Sequence, residues 1–202
     1  MRRYGSHLPA VARSEKMQLN ETISRRRSLR GIDPIPVSRR ELEEMARAAS
    51  LAPSCFNNQP WRFVFVRDRT QLAALKEVLS SGNEWAHRAS LVVAVCARRD
   101  DDCVVREREY FLFDAGMATA LLMLKATELG LVTHAIAGFK ADKAKTILQV
   151  PDDMLVITLI ICGAKAERPE ELLTESQLAV ELERPARQPL ERIMMLDRFK
   201  GM

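Results

Sequence analysis

The chain has 202 residues, 47% of them hydrophobic and 29% charged, with a formal net charge of +4. That is enough apolar material for one domain with a substantial core, about 70% of the unfolded surface being buried at this size, and it excludes general disorder. With 5% aromatic residues and no interleaving of basic with aromatic positions, the composition also argues against a base-stacking nucleic-acid face.

The first nineteen residues have no apolar signal-peptide core and read either as a flexible arm or as an extension that wraps a partner. Charge is concentrated at this end: the first forty residues carry ten Lys/Arg against three Asp/Glu. A basic front end of this kind meets nucleic acid, a membrane surface or a phosphorylated small ligand. A local anion site is the favoured reading. Within "SRRRSLRG" (24–31), Arg26, Ser28 and Arg30 alternate, so an extended segment would point them the same way. Guanidinium groups bind phosphate oxygens bidentately and a Ser hydroxyl adds a compact donor, which makes this stretch a candidate phosphate clamp.

A helix follows, opened by a capping box of Ser38 and Glu41, carrying Leu42, Met45, Ala46 and Ala49 at helical spacing, and stopped by Pro53. "LAPSCFNNQPW" (51–61) then packs prolines, a serine and amides between a helix and a strand, a cluster whose buried polar groups need partners. "WRFVFV" reads as a strand, "TQLAALKEVLS" as a helix capped by Thr70, and "LVVAVCA" as a strand covered on both faces. A proline-free run from about 106 to 129 predicts the longest helix, roughly 36 Å, ending before Gly130. Its second half is apolar nearly all round, more than one small domain buries, so a second subunit is inferred.

"VTHAIAGF" reads as a strand, "KADKAKTILQV" as a short helix and "MLVITLIICGAK" as the last core strand, its apolar run too short to cross a bilayer. The tail from Glu167 is charged and proline-punctuated, and is expected to run over something rather than form a core. The pattern is α+β: one sheet with helices on its faces. Cys55, Cys96, Cys103 and Cys162 form no CxxC pair and the three His are scattered, so no metal site is expected and the thiols are taken as free, in a reducing cytoplasm.

Landmarks in order and spacing now carry a resemblance. "RRSLR", "APSCFNNQPW" with a strand directly after it, Gly82-Asn83, Asp114-Ala115-Gly116 with Gly130-Leu131, Gly138-Phe139, and Arg187 in "RQPLE" together resemble the FMN-dependent nitroreductase family over nearly the whole chain after residue 20. The resemblance implies a mostly antiparallel central sheet, a long helix at a homodimer interface, and a C-terminal tail embracing the partner. Residues 1–20 would be an extension and 21–202 the FMN-binding domain with its arm.

Carried over by position, Arg26 and Ser28 bind the phosphate and ribityl chain and Arg187 closes on the phosphate. Arg27 makes a backbone contact, and Arg30 is a cation near the N1/O2 edge that favours the reduced flavin. Asn83 binds the pyrimidine side. Pro53, Ser54, Cys55 and Asn57 come from the other subunit and pack under the ring, and Ile136, Ala137 and Gly138 lie over the flavin. Gln59 and Trp61 are assigned to structure, and Cys55 has no basic activator beside it.

The chain departs from the family pattern at Pro185, where a basic residue is common, with Arg184 as the candidate substitute. The implied chemistry is at flavin N5, with no catalytic side chain: NAD(P)H delivers two electrons and leaves, and a nitroaromatic, quinone or similar acceptor takes them, in ping-pong fashion. The competing readings are a specialised flavin enzyme of the same fold, dehalogenating or flavin-modifying, or a non-catalytic flavin-binding dimer. The segment "RRDDDCVVRERE" (98–109) is the only candidate lid.

Overall fold

In the computed structural model, residues 18–199 are described, so residues 1–17 of the expected extension lie outside them. The chain opens with α1 (Leu19–Arg25) and a short strand β1 (Ile32–Asp33). α2 (Arg39–Ser50) starts at Ser38 with both halves of its capping box formed. Strand β2 (Trp61–Val66) and helix α3 (Arg69–Lys76) follow. The cap of α3 is Asp68, whose side chain accepts from the Thr70 and Gln71 amides, and not Thr70 as the sequence reading had it. A carboxylate two residues earlier takes the first orphan amides of the helix.

Strand β3 (Leu91–Ala97) is buried at all seven positions, as a strand covered on both faces must be. Next come a two-residue hairpin, β4 (Val104–Val105) with β5 (Arg108–Glu109), and the long helix α4 (Tyr110–Glu128). α4 is a turn shorter at its start than its sequence predicted. Residues 106–109 favour helix locally, but Arg106 adopts φ 59° at the hairpin and Arg99 pairs with Glu109 at 2.7 Å. Tertiary pairing overrides propensity there. Then follow β6 (Val132–Ile136), α5 (Ala141–Leu148), β7 (Leu155–Lys165), α6 (Glu175–Leu182) and α7 (Leu190–Ile193).

β7 is the hub of the sheet. It pairs antiparallel with β3, β6 and β1, and β3 pairs antiparallel with β2. Alternation sends Val93, Val95 and Ile160 to one face, against Met45 and Ala49 of α2 and Ala115, Ala118 and Leu122 of α4. Val92, Ala94 and Ile161 face the other side, against Leu75 of α3, Ala144 of α5 and Trp85. The result is three layers, helix, sheet, helix, the mixed α+β architecture expected. Among the described residues no helix is long and apolar enough to cross a membrane.

One expectation fails outright. Cys55 and Cys103 are joined in a disulfide, their Cα atoms 6.1 Å apart across 48 residues of sequence. The fold, not the spacing, brings them within bridging range. Cys96 and Cys162 are free, and burial raises their thiols to about 11 and about 12.

Candidate functional site

The two ends of the chain meet over the segment between α1 and β1. Arg27 reaches 150 residues along the sequence and its Nη2 donates to three carbonyls at the end of α6: Val180 (3.1 Å), Glu181 (2.9 Å) and Glu183 (3.1 Å). These are C-terminal carbonyls with no partner inside the helix, and a cation there also complements the helix dipole. Glu181 returns the connection. Its buried carboxylate accepts from the Arg30 and Gly31 amides, both at 2.9 Å. Gly31 has to be glycine: a Cβ would stand 2.7 Å from Pro169 Cβ and 3.1 Å from Glu181 Oε1.

This seam gathers a cluster of arginines. Arg184 donates to the carbonyls of Ser24 and of Arg26, the latter at 3.0 Å. Arg26 donates to Ser28 Oγ at 3.3 Å. The Arg26 guanidinium is pushed below its ordinary pKa by burial, then by Arg184, then by Arg187. So three cations stand together, and among the described residues none of them makes an ion pair. The predicted set Arg26, Ser28 and Arg187 is brought together, and Arg184 stands beside Arg26. The side chain of Arg27 is spent on α6, which leaves only its backbone for a ligand.

His134 on β6 links this cluster to a second one. Its Nδ1 lies 3.1 Å from the Leu29 carbonyl, and its ring stacks on Trp85 at 4.7 Å. Burial lowers its pKa against the pull of the Leu29 carbonyl, and Arg30 lowers it further, so the ring is neutral at pH 7. Trp85 sits in the short turn Glu84–Arg88 that follows Asn83. Asn83 Nδ2 in turn donates to the Gly138 carbonyl at 3.0 Å. That approach requires a glycine, because a Cβ on residue 138 would fall 2.7 Å from the amide nitrogen. Asn83, Ile136, Ala137 and Gly138 therefore form one edge at the end of β6, continuous with the arginines through His134.

The group implied by the resemblance can be tested against these residues. A dianionic phosphate would offset three like charges that otherwise face one another. Trp85 Nε1 is buried with no partner among the described residues, a donor left over in the same cluster. An anionic, polar-edged ligand fits both observations.

The loop at Pro53, Ser54, Cys55 and Asn57 lies elsewhere. Among the described residues no hydrogen bond or ion pair connects it to the arginine cluster. Three of its residues, Phe56, Asn57 and Gln59, hold left-handed φ values of 48°, 61° and 50°. Local bonds fix them: Gln59 N to Ser54 Oγ (3.0 Å), Gln59 Nε2 to the Asn57 carbonyl (3.2 Å), Asn58 Nδ2 to Asp102 Oδ1 (3.3 Å), and Cys55 N to Asp114 Oδ2 (2.7 Å). Most of the loop's polar groups thus find the partners they need inside the chain. Trp61 is core, as assigned.

Asp114 was legible only as part of a landmark. It is 1% exposed, and burial, together with the nearby Asp102 carboxylate, raises its pKa against the pull of the Cys55 amide. Around this loop apolar side chains stand exposed: Leu51, Phe56, Leu112 and Phe113. Sequence reasoning also missed His134 and Glu181. The first was called scattered, and the second has its partners 150 residues away.

The nitroreductase family model matches residues 23–90 and 80–164. A crystal structure described as an oxidoreductase containing FMN superposes with TM-score 0.79 at 28% identity, over 97% of this chain and 100% of the other. A nitroreductase family protein from Clostridium novyi gives TM-score 0.71 at 25% identity, covering 76% and 88%. An NADH dehydrogenase of Thermus thermophilus is 29% identical over 176 residues, 71% of this chain and 84% of the relative. A protein of Archaeoglobus fulgidus with the provisional name NADH dehydrogenase/NAD(P)H nitroreductase is 29% identical over 142 residues, covering 68% and 80%.

Proposed function

The chain belongs to the nitroreductase family, and on that premise we propose that it is an FMN-dependent oxidoreductase passing two electrons from NAD(P)H to an electron-poor acceptor. The observation that carries this is the arginine cluster of Arg26, Arg184 and Arg187, an anion receptor without an acidic partner, joined through His134 to the Asn83–Gly138 edge. FMN, when bound, supplies two-electron chemistry between a nicotinamide donor and a nitroaromatic, quinone or similar acceptor.

The residues divide the work of holding it. Arg26, Ser28, Arg184 and Arg187 take the phosphate. Arg30, whose guanidinium lies near His134 and whose amide is fixed by Glu181, is the cation for the pyrimidine edge. Asn83 and the backbone of Ile136, Ala137 and Gly138 line the ring. His134, partly buried and packed on Trp85, excludes water from the join between the arginines and the Asn83–Gly138 edge. No side chain of the set is a nucleophile placed for covalent catalysis, so orientation and electrostatics are the protein's contribution.

We further propose a homodimer, with residues 53–57 supplied by the partner. Supporting this are the exposed Leu51, Phe56, Leu112 and Phe113 and an apolar groove of about 710 Å³ lined by Leu19, Leu51, Leu121 and Leu124. Contiguous exposed apolar surfaces of this kind mark interaction sites.

The purified chain reconstituted with FMN should be yellow and bleach anaerobically with NADH or NADPH. Reciprocal plots at several donor and acceptor concentrations should be parallel, since donor and acceptor use one slot in turn. A chain that stays colourless after reconstitution refutes the assignment, and intersecting plots refute the shared slot.

A further inference from the structure

Cys55 sits in the left-handed turn of the loop and Cys103 just before the β4–β5 hairpin, so their bond ties the loop to the hairpin. Both sulfurs belong to half-buried residues, within reach of a small molecule. Asp102 lies beside them, its carboxylate and the two sulfurs all within 4.8 Å of one another. Asn58 Nδ2 approaches Cys103 Sγ at 3.5 Å, and the Cys103 amide donates to Asp102 Oδ1 at 2.8 Å. Asp102 Oδ2 is buried with no donor among the described residues, while the neighbouring Asp114 carboxyl is the group whose pKa burial raises. The pair therefore has a thiolate-stabilising donor on one sulfur and an unpartnered, buried carboxylate oxygen next to it, which a purely structural cross-link does not need.

We propose that Cys55–Cys103 is a thiol–disulfide exchange site, opened by low-molecular-weight thiols and closed by their disulfides, and that its state sets the order of the loop and the hairpin together. A thiolate attacks Cys55 Sγ, forming a mixed disulfide as the Cys55–Cys103 bond breaks. The leaving sulfur is Cys103 Sγ, which carries the Asn58 contact, departs as a thiolate and takes its proton from solvent. A second thiol displaces the first from Cys55. Two thiols are oxidised to one small-molecule disulfide, and the protein disulfide is reduced to two thiols. Closing is the same exchange in reverse.

Opening the bond leaves the loop with its hydrogen bonds to Asp102 and Asp114 but without its covalent anchor, while three non-glycine residues remain in left-handed conformations. Local order should fall in residues 53–59 and 99–109 at once, with the core unaffected. This inference does not depend on turnover, and because residues 53–57 are proposed to meet the cofactor, the loaded and FMN-free chains are compared.

The test uses the full chain, with and without added FMN, equilibrated in buffers of reduced and oxidised glutathione at graded ratios. It is then alkylated with N-ethylmaleimide under native conditions and weighed intact. Two sites per chain should become reactive over the titration, mapping to Cys55 and Cys103, with Cys96 and Cys162 reacting only after denaturation. Amide hydrogen exchange should rise in both segments over the same ratios, and Cys103→Ser should show the raised exchange without reductant and form a mixed disulfide at Cys55 with oxidised glutathione. The proposal is overturned if the pair stays closed in the native protein at the most reducing ratio. It is equally overturned if both thiols react at every ratio, or if exchange in the two segments does not change on opening.

Discussion

Glu181→Ala isolates the seam on which the site depends. The carboxylate accepts two backbone amides, Arg30 N and Gly31 N, each at 2.9 Å. Hydrogen bonds to a charged group are worth about 1.5–3 kcal/mol each. Truncation leaves the Gly31 amide buried and unpartnered, while water can reach the amide of the less buried Arg30, so a loss of about 3 kcal/mol follows. For a chain of this size that corresponds to an apparent Tm lower by about 6–12 °C, read by thermal unfolding at fixed protein concentration without FMN. Glu181→Gln keeps one acceptor and turns an NH2 toward the other amide, so about half the loss should remain. FMN affinity should fall in both variants, because Arg30 loses the anchor of its backbone. A Tm within about 2 °C of the parent in Glu181→Ala would refute the reasoning, since the buried Gly31 amide cannot lose its acceptor at no cost.

Arg26→Ala removes a charge-assisted phosphate contact and should weaken FMN binding about tenfold to a hundredfold, measured by flavin fluorescence on release. Because Arg184 and Arg187 also repel Arg26, the FMN-free variant should be no less stable than the parent, and a variant that is equally destabilised with and without FMN would contradict the cluster. In Gly138→Ala the new Cβ meets Asn83 Nδ2 at 2.7 Å and displaces the bond to the residue 138 carbonyl, costing about 1 kcal/mol. A Tm lower by about 2–4 °C checks this, and an unchanged Tm would mean that Asn83 swings clear. His134 has a folded pKa below its unfolded value of about 6.5. The unfolded state then binds the extra proton first, so stability should fall as pH drops through about 6.5 toward the folded value. In His134→Asn that limb of the pH profile of Tm should flatten.

What was legible in the sequence was whatever is decided locally. The α2 capping box lies within four residues, and the seven-residue run of β3 carries its own burial signal. Thr174 and Gln177 form the same box before α6, a local signal masked by the charged, proline-punctuated tail around it. The start of α4 was misplaced for a different reason. The hairpin that replaces its first turn is held by Arg99 with Glu109, and the nearby Arg98 reaches Asp153 at 2.7 Å, a partner no window could see. Cys55 with Cys103 and Glu181 with Gly31 are failures of the same kind, 48 and 150 residues apart. Arg26, Ser28 and Arg30 stand out in the sequence because they lie within one short stretch, whereas His134 was missed because its neighbours Leu29, Arg30 and Trp85 come from two distant segments.

The placement of the arginine cluster has a consequence for how the site forms. Arg26 and Arg184 are 158 residues apart, and their meeting closes a segment that holds every strand of the main sheet. Closing so long a segment costs entropy that must be offset on arrival. What α6 brings to the seam is two charge-assisted bonds through Glu181 and three carbonyls for Arg27, but also Arg184 and Arg187, which repel Arg26. An anion removes that repulsion, so a dianionic ligand stabilises the docked arm more than the core. At a concentration one hundred times its Kd, a ligand adds about 2.7 kcal/mol to the folded state. The C-terminal arm is accordingly the part of the chain whose order should depend most on the cofactor, and screening of the cluster by salt should narrow the difference between the free and liganded forms.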